Sequence, residues 1–188
     1  MDKEKIETAV KMILEAVGEN ARRKDLLDTP RRVAELYEEI FSGISRDPEK
    51  ELEVLLAENH DEIVLLRDIP LYSVCEHHLL PFLGRVHVAY IPKENRVTGL
   101  SKLVRVVEIL SKRPQVQERL TTSIAEVVMK KLRPRGVMVV IEAEHLCLSM
   151  RGVNRPGILT VTSAVRGIFK ENEKTRAETM MLIRSQHK

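Results

Sequence analysis

Residues 101–132, SKLVRVVEILSKRPQVQERLTTSIAEVVMKKL, hold two helical patterns in succession. Leu103, Val107 and Leu110 recur at helical spacing from Ser101 onward. Leu120, Ile124, Val127, Val128 and Leu132 form a second stripe, which ends before Pro134, a residue that cannot continue a helix. The flanking texture is different. β-rich runs at Glu62–Asp68 and Arg85–Ile91 precede the pair, and runs at Val137–Glu142, His145–Arg151 and Ile158–Val165 follow it. Strands bracketing a helix pair predict an α+β fold.

Toward the N-terminus, Ile6, Ala9, Val10, Ile13, Leu14 and Val17 trace another helix, with Gly18 where it would stop. A further helix is expected to start with Thr29 as N-cap and Pro30 at its first position. Its apolar stripe is Val33, Leu36, Tyr37 and Ile40, and Gly43 marks its end. Residues 1–60 are thus expected to form an N-terminal helical extension, and 61–188 the main domain.

Hydrophobic residues at 43% and charged residues at 31% describe a chain able to bury a core without disulfide staples. Lys and Arg number 31 against 28 Asp and Glu, and a net charge of +3 is too balanced for a nucleic-acid surface. No apolar run approaches the roughly 20 residues of a membrane helix, and the opening MDKEKIETAV is charged where a secretory leader would be apolar. A cytoplasmic protein with neither membrane nor nucleic acid as partner is expected. In a reducing cytosol its two cysteines, Cys75 and Cys147, are metal-binding, catalytic or inert more readily than disulfide-bonded.

Cys75-Glu76-His77-His78 places a thiol and an imidazole in Cys-x-x-His spacing, which lets one turn aim both at a single ion. The remaining cysteine lies in His145-Leu146-Cys147. Three protein ligands leave a position open for water, as a catalytic zinc requires. Adjacent His77 and His78 point apart, so one is expected to ligate while the other serves proton transfer. Read as a strand, His145–Arg151 puts His145, Cys147, Ser149 and Arg151 on one face and Leu146, Leu148 and Met150 on the other. Arg151 would then stand about 13 Å from Cys147, suiting a substrate whose anionic tail is distant from its reacting atom. Against this, a free cysteine is often just a small buried apolar residue, and a histidine an ordinary core or surface one.

Taken together, Cys75-Glu76-His77-His78, Gly99-Leu100-Ser101-Lys102-Leu103, Arg113-Pro114-Gln115-Val116-Gln117-Glu118-Arg119-Leu120 and His145-Leu146-Cys147 with Arg151-Gly152 resemble GTP cyclohydrolase I in order and spacing. The resemblance runs from about Thr29-Pro30-Arg31-Arg32 to the end of the chain, with a departure at Asn154-Arg155-Pro156-Gly157. It implies a tunnelling fold, an antiparallel sheet with a helix pair on one face. Subunits of that fold close into a pentameric barrel, and two barrels stack as a decamer with active sites between subunits.

The resemblance further implies Zn2+ on Cys75, His78 and Cys147, and proton transfer by His77 and His145. It also implies hydrolysis of GTP at carbon 8, with loss of formate and rearrangement to dihydroneopterin triphosphate. Glu118, with Gln117 beside it, is implied as the guanine reader, because one carboxylate accepts from both the ring N–H and the exocyclic amino group. Ser101, Lys102, Arg105 and Arg151 are implied at the triphosphate, with Arg32 contributing across a subunit boundary. For Ser101 and Lys102 there is independent support in a helix start that would offer free N–H groups to an anion. Without the resemblance Arg32, Arg105 and Glu118 read as solvated charges. Competing readings are another tunnelling-fold enzyme, either a pterin synthase or a nitrile reductase with a nucleophilic cysteine, and a zinc-stabilised binding module.

Overall fold

The computed structural model describes residues 1–57 and 60–185. Asp2 caps helix α1 (Lys3–Ala16) by accepting from the Lys5 N–H at 3.0 Å, and Gly18 ends it in the left-handed region at φ +88°. Helix α2 (Thr29–Ile40) packs along α1 and carries Pro30 in its first turn. Its cap is Asp28, one residue earlier than Thr29, which is already helical. Gly43 lies beyond the helix and serves close packing, since an added Cβ would collide with the Ile109 carbonyl.

The elements that follow are β1 (Leu55–Leu56), β2 (Val64–Cys75), β3 (Pro81–Ile91), β4 (Arg96–Val97), α3 (Leu100–Ser111), β5 (Pro114–Gln115), α4 (Gln117–Leu132), β6 (Gly136–His145), α5 (Leu146–Ser149), β7 (Leu159–Gly167), α6 (Ile168–Glu171) and α7 (Glu173–Arg184). Five strands make one sheet in the order β5-β2-β3-β6-β7, antiparallel throughout except for the short parallel β2–β5 pair. β1 and β4 form a separate ribbon. This is the α+β arrangement that the pattern of strands and helices predicts and the tunnelling fold that the resemblance implies, with α3 and α4 as the helix pair.

Alternation along the strands sorts the side chains into two cores. Val86, Val88, Tyr90, Val137, Val139 and Ile141 face the pair α3–α4, meeting Leu103, Val107, Leu120, Ile124 and Val128. On the other face Ala89, Ile91, Met138 and Val140 pack with Phe169 and Ile183 of the C-terminal helices. Truncating a fully buried residue such as Ile124 to alanine is expected to cost about 2–5 kcal/mol.

One sequence-based expectation fails. His145–Arg151 is not a strand: β6 ends at His145, and Leu146–Ser149 coil into the single-turn helix α5. The reason lies in the neighbouring strand. His145 pairs with Phe82, which sets Leu146 opposite Pro81, the first residue of β3 and one with no N–H to donate, so residues past His145 have no ladder to join. Their polar groups close locally instead, Met150 N–H donating to the Leu146 carbonyl at 3.0 Å and Ser149 Oγ to that of His145 at 2.9 Å. The sorting of His145, Cys147, Ser149 and Arg151 onto one strand face falls with it, and so does the separation of about 13 Å between Cys147 and Arg151.

Candidate metal centre and active site

β2 delivers buried Cys75 to a tight turn. Cys75 N–H donates to the Leu80 carbonyl at 2.8 Å, Leu79 N–H donates to that of Cys75 at 2.9 Å, and Leu79 adopts φ 53°. The turn returns His78 over Cys75, while α5 supplies Cys147 from across the sheet. One ligand atom from each of Cys75, His78 and Cys147 lies within 4.8 Å of the others. The His77 and His78 rings are 6.3 Å apart and almost perpendicular, at 88°, and the imidazole gathered with the two sulfurs is that of His78. Burial, then the neighbouring Cys75, push the Cys147 thiol above its ordinary range. A cation between the two sulfurs would reverse that balance.

His145, at the end of β6, stacks on Phe82 with centroids 4.6 Å apart and planes 6° from parallel. Its Nε2 is 2.7 Å from Oε1 of Gln117, the first residue of α4. Gln117 is 1% exposed, and its amide nitrogen donates to the Ile141 carbonyl at 3.1 Å, the Thr160 carbonyl at 2.9 Å and Thr162 Oγ1 at 3.0 Å. Two carbonyl acceptors orient that amide, so its oxygen faces His145 and the imidazole carries its hydrogen on Nε2. Nδ1 is the remaining nitrogen. Burial pulls the His145 pKa below its usual range, while the nearby Glu118 carboxylate pulls the other way.

Arg151 Nη1 reaches His78 Nε2 at 3.0 Å, which sets it at the metal donors rather than remote from them. The loop beyond it, Asn154 to Gly157, contains two positive-φ residues, Asn154 at 49° and Gly157 at 83°, and Gly157 N–H donates to Glu144 Oε1 at 2.9 Å. Glu118 is exposed on the first turn of α4, one residue from Gln117.

The other anion-binding candidates stand elsewhere. α4 starts beside His145 and ends at Leu132, whose carbonyl accepts from Arg96 Nε at 2.9 Å, four residues before α3 begins. α3 then runs back to Ser111, whose carbonyl accepts from Ser73 Oγ at 2.7 Å near the metal turn. The start of α3 is therefore at the opposite end of the sheet from Cys75, with about 13 Å of helix between Lys102 and Ser111. There Lys102 pairs with Glu53 at 3.4 Å and Arg105 with Glu51 at 3.8 Å. Arg32 pairs with Asp28 on α2 at 3.4 Å. The path of α3 thus holds Ser101 and Lys102 away from the metal donors of their own chain.

Sequence reasoning passed over two neighbours of the metal turn. Arg119 Nη2 donates to the Glu76 carboxylate and to the Pro114 carbonyl at 3.2 Å, while its Nε donates to Gln115 Oε1 at 3.1 Å. The guanidinium holds the Glu76 carboxyl below the usual range. Their only signal was membership of the two quoted motifs, each of which looked complete without them.

Fold and site together describe an α+β protein with an open Cys-His-Cys cluster beside a hydrogen-bonded histidine. Residues 6–184 match the sequence family described as GTP cyclohydrolase I. The chain is 64% identical over 183 residues to a protein named GTP cyclohydrolase 1 from Carboxydothermus hydrogenoformans, covering 97% of this chain and 95% of the relative. It is 61% identical over 185 residues to the one from Pelotomaculum thermopropionicum, covering 98% of each. The Listeria welshimeri protein of that name is 59% identical over 184 residues, covering 98% and 97%. The chain belongs to the GTP cyclohydrolase I family and is an enzyme.

Proposed function

We propose that this enzyme hydrolyses GTP at carbon 8 of the base, releases formate and rearranges the remainder to 7,8-dihydroneopterin triphosphate, the first step of folate and pterin biosynthesis. The observation that carries the reading is the convergence of Cys75, His78 and Cys147 within 4.8 Å. Two sulfurs and one imidazole suit Zn2+, and three protein ligands leave its fourth position for water. When bound, zinc would supply an activated water whose pKa falls to about 7.

The chain's own groups do the rest. Gln117 keeps the hydrogen of neutral His145 on Nε2, so Nδ1 is the nitrogen open to exchange a proton with the base. His77, exposed and edge-to-face with His78, is available for the second transfer that ring opening and reclosure demand. Glu118 reads guanine by accepting from two donors that adenine does not present together. Gln117 contributes through His145, since its own amide is satisfied inside the protein.

The triphosphate is held by Arg151 and by Ser101, Lys102, Arg105 and Arg32. Because the start of α3 lies away from the metal donors of its own chain, a neighbouring chain supplies the last four, in the decamer of two stacked pentamers expected for the family. No helix among the described residues is long and apolar enough to cross a membrane, consistent with a cytoplasmic location.

Incubating the purified protein with GTP, and measuring formate, the oxidised fluorescent pterin and bound zinc, tests the proposal. One zinc per chain with stoichiometric formate and pterin is expected. Absence of both products from zinc-loaded protein would refute it.

A further inference from the structure

We propose that Glu76 and Arg119 form a positioning pair, which locks the metal-bearing turn to the first turn of α4 and so sets the spacing between the metal donors and Glu118. The inference rests on the function proposed above.

Residues 76–79 are all exposed, so burial does little to hold the turn that carries His78. Its backbone is tied to β5 by two strand pairs, Val74 with Pro114 and Cys75 with Gln115, and by Glu76 N–H donating to the Gln115 carbonyl at 3.0 Å. The turn is closed on itself and on β3, but so short a ladder gives it few backbone ties to β5 and α4. The Arg119 guanidinium adds to them. Its Nη2 donates to both the Glu76 carboxylate and the Pro114 carbonyl, the latter at 3.2 Å, and its Nε to Gln115 Oε1 at 3.1 Å. Gln115 is a firm anchor, buried and donating its own amide to the Leu110 carbonyl at 2.9 Å.

One planar cation thus joins the end of β2, β5 and α4. A fork with several fixed donors suits this task, and a lysine ammonium would not span the same acceptors. Arg119 follows Glu118 directly and Glu76 follows Cys75 directly, so the pair couples the residue proposed to read the base to the ligands proposed to hold the metal. A misplacement of about 1 Å between such groups can cost on the order of 100-fold in rate.

The test compares wild type, Arg119→Met, Arg119→Lys, Glu76→Gln and the Glu76→Gln/Arg119→Met double variant for zinc content, thermal midpoint, kcat and KM for GTP. Wild-type protein without zinc or turnover would bring down the proposed function itself, and is thereby distinguished from failure of the pair. With wild type active, Arg119→Met and Glu76→Gln should each lower kcat ~10- to 100-fold while zinc stoichiometry and thermal midpoint stay near wild type. The double variant should be no worse than the poorer single one, and Arg119→Lys should recover only part of the loss. Unchanged kcat in both single variants would overturn the inference, as would losses that multiply in the double variant. A rise in KM with kcat intact would overturn it too, by making Arg119 a substrate contact. Loss of zinc or a collapse in thermal midpoint would reduce the pair to scaffolding.

Discussion

Oε1 of Gln117 lies 2.7 Å from Nε2 of His145, and the same amide is fixed at its other end by the carbonyls of Ile141 and Thr160. The glutamine thereby decides which imidazole nitrogen carries the hydrogen. Gln117→Leu removes that control, and it also strips a donor from two buried carbonyls, a stability cost of about 1–3 kcal/mol. Turnover should fall ~10- to 100-fold with zinc retained, whereas His145→Ala should lose ~100- to 10,000-fold and also keep its metal. Single-turnover product formation beside elemental analysis checks both, and loss of zinc in His145→Ala would make that residue a ligand or support instead.

The metal cluster predicts a sharper outcome. Cys75→Ser, His78→Ala and Cys147→Ser each remove one of the three atoms gathered within 4.8 Å, so each should lose zinc and activity together. Full activity in a metal-free preparation would contradict the assignment. Elemental mass spectrometry on dialysed protein reads the stoichiometry.

Glu118 is exposed at the start of α4, where its carboxylate can meet the guanine edge. In Glu118→Gln one acceptor becomes a donor facing donors. The affinity for GTP should weaken by at least ~10-fold, since a buried polar group left unpaired costs about 1–3 kcal/mol. Equilibrium binding measures it, and unchanged affinity would take Glu118 out of the site.

If the start of α3 serves a neighbour's metal centre, two inactive variants should complement each other. Cys147→Ser lacks a metal ligand and Lys102→Ala lacks a phosphate cation, and each is expected to be nearly inactive alone. Co-expressed, they should regain activity wherever an intact Cys147 faces an intact Lys102. Mixed assemblies without any regained turnover would place the phosphate cations and the metal in separate functions. Light scattering gives the size of the assembly.

His87 predicts a pH dependence of stability remote from the metal. It is buried on β3, and its Nδ1 accepts from the Asp68 N–H at 3.2 Å, at the bulge between Leu66 and Ile69. Burial depresses its pKa in the fold, although the Asp68 carboxylate opposes the shift. The unfolded chain therefore takes up the proton first, starting near pH 6.5. Stability should be full above that pH and decline as pH falls from there through the folded pKa. His87→Gln should flatten this part of the profile, as read from urea midpoints between about pH 7.5 and 5. Asp68, held low by its hydrogen bond to Arg85, contributes stability above the ordinary carboxylate pKa that is lost in more acidic solution still.

Sequence alone determined the elements whose hydrophobic period is long enough to read: the helix pair spanning 101–132, the strands that bracket it and the Cys-x-x-His turn. The three candidate metal donors were implied by the resemblance that its motifs carry, while spacing left open which of His77 and His78 joins the two thiols, and the fold gathers Cys75, His78 and Cys147 within 4.8 Å. Tertiary structure decided what depends on where neighbouring strands stop. Since β3 begins at Pro81, which has no N–H for a further pair, His145 is the last residue of β6 with a partner, and Cys147 and Arg151 are delivered by a helical turn and the loop after it rather than by a strand face. The hydrogen on His145 Nε2 is likewise decided by an amide brought from α4 against β6 and β7, and the clamp at Glu76 by a guanidinium 43 residues away. Periodicity reports which face a residue takes within its own element, but a contact between elements is set by register and by the need to satisfy buried polar groups, and neither is written in local spacing.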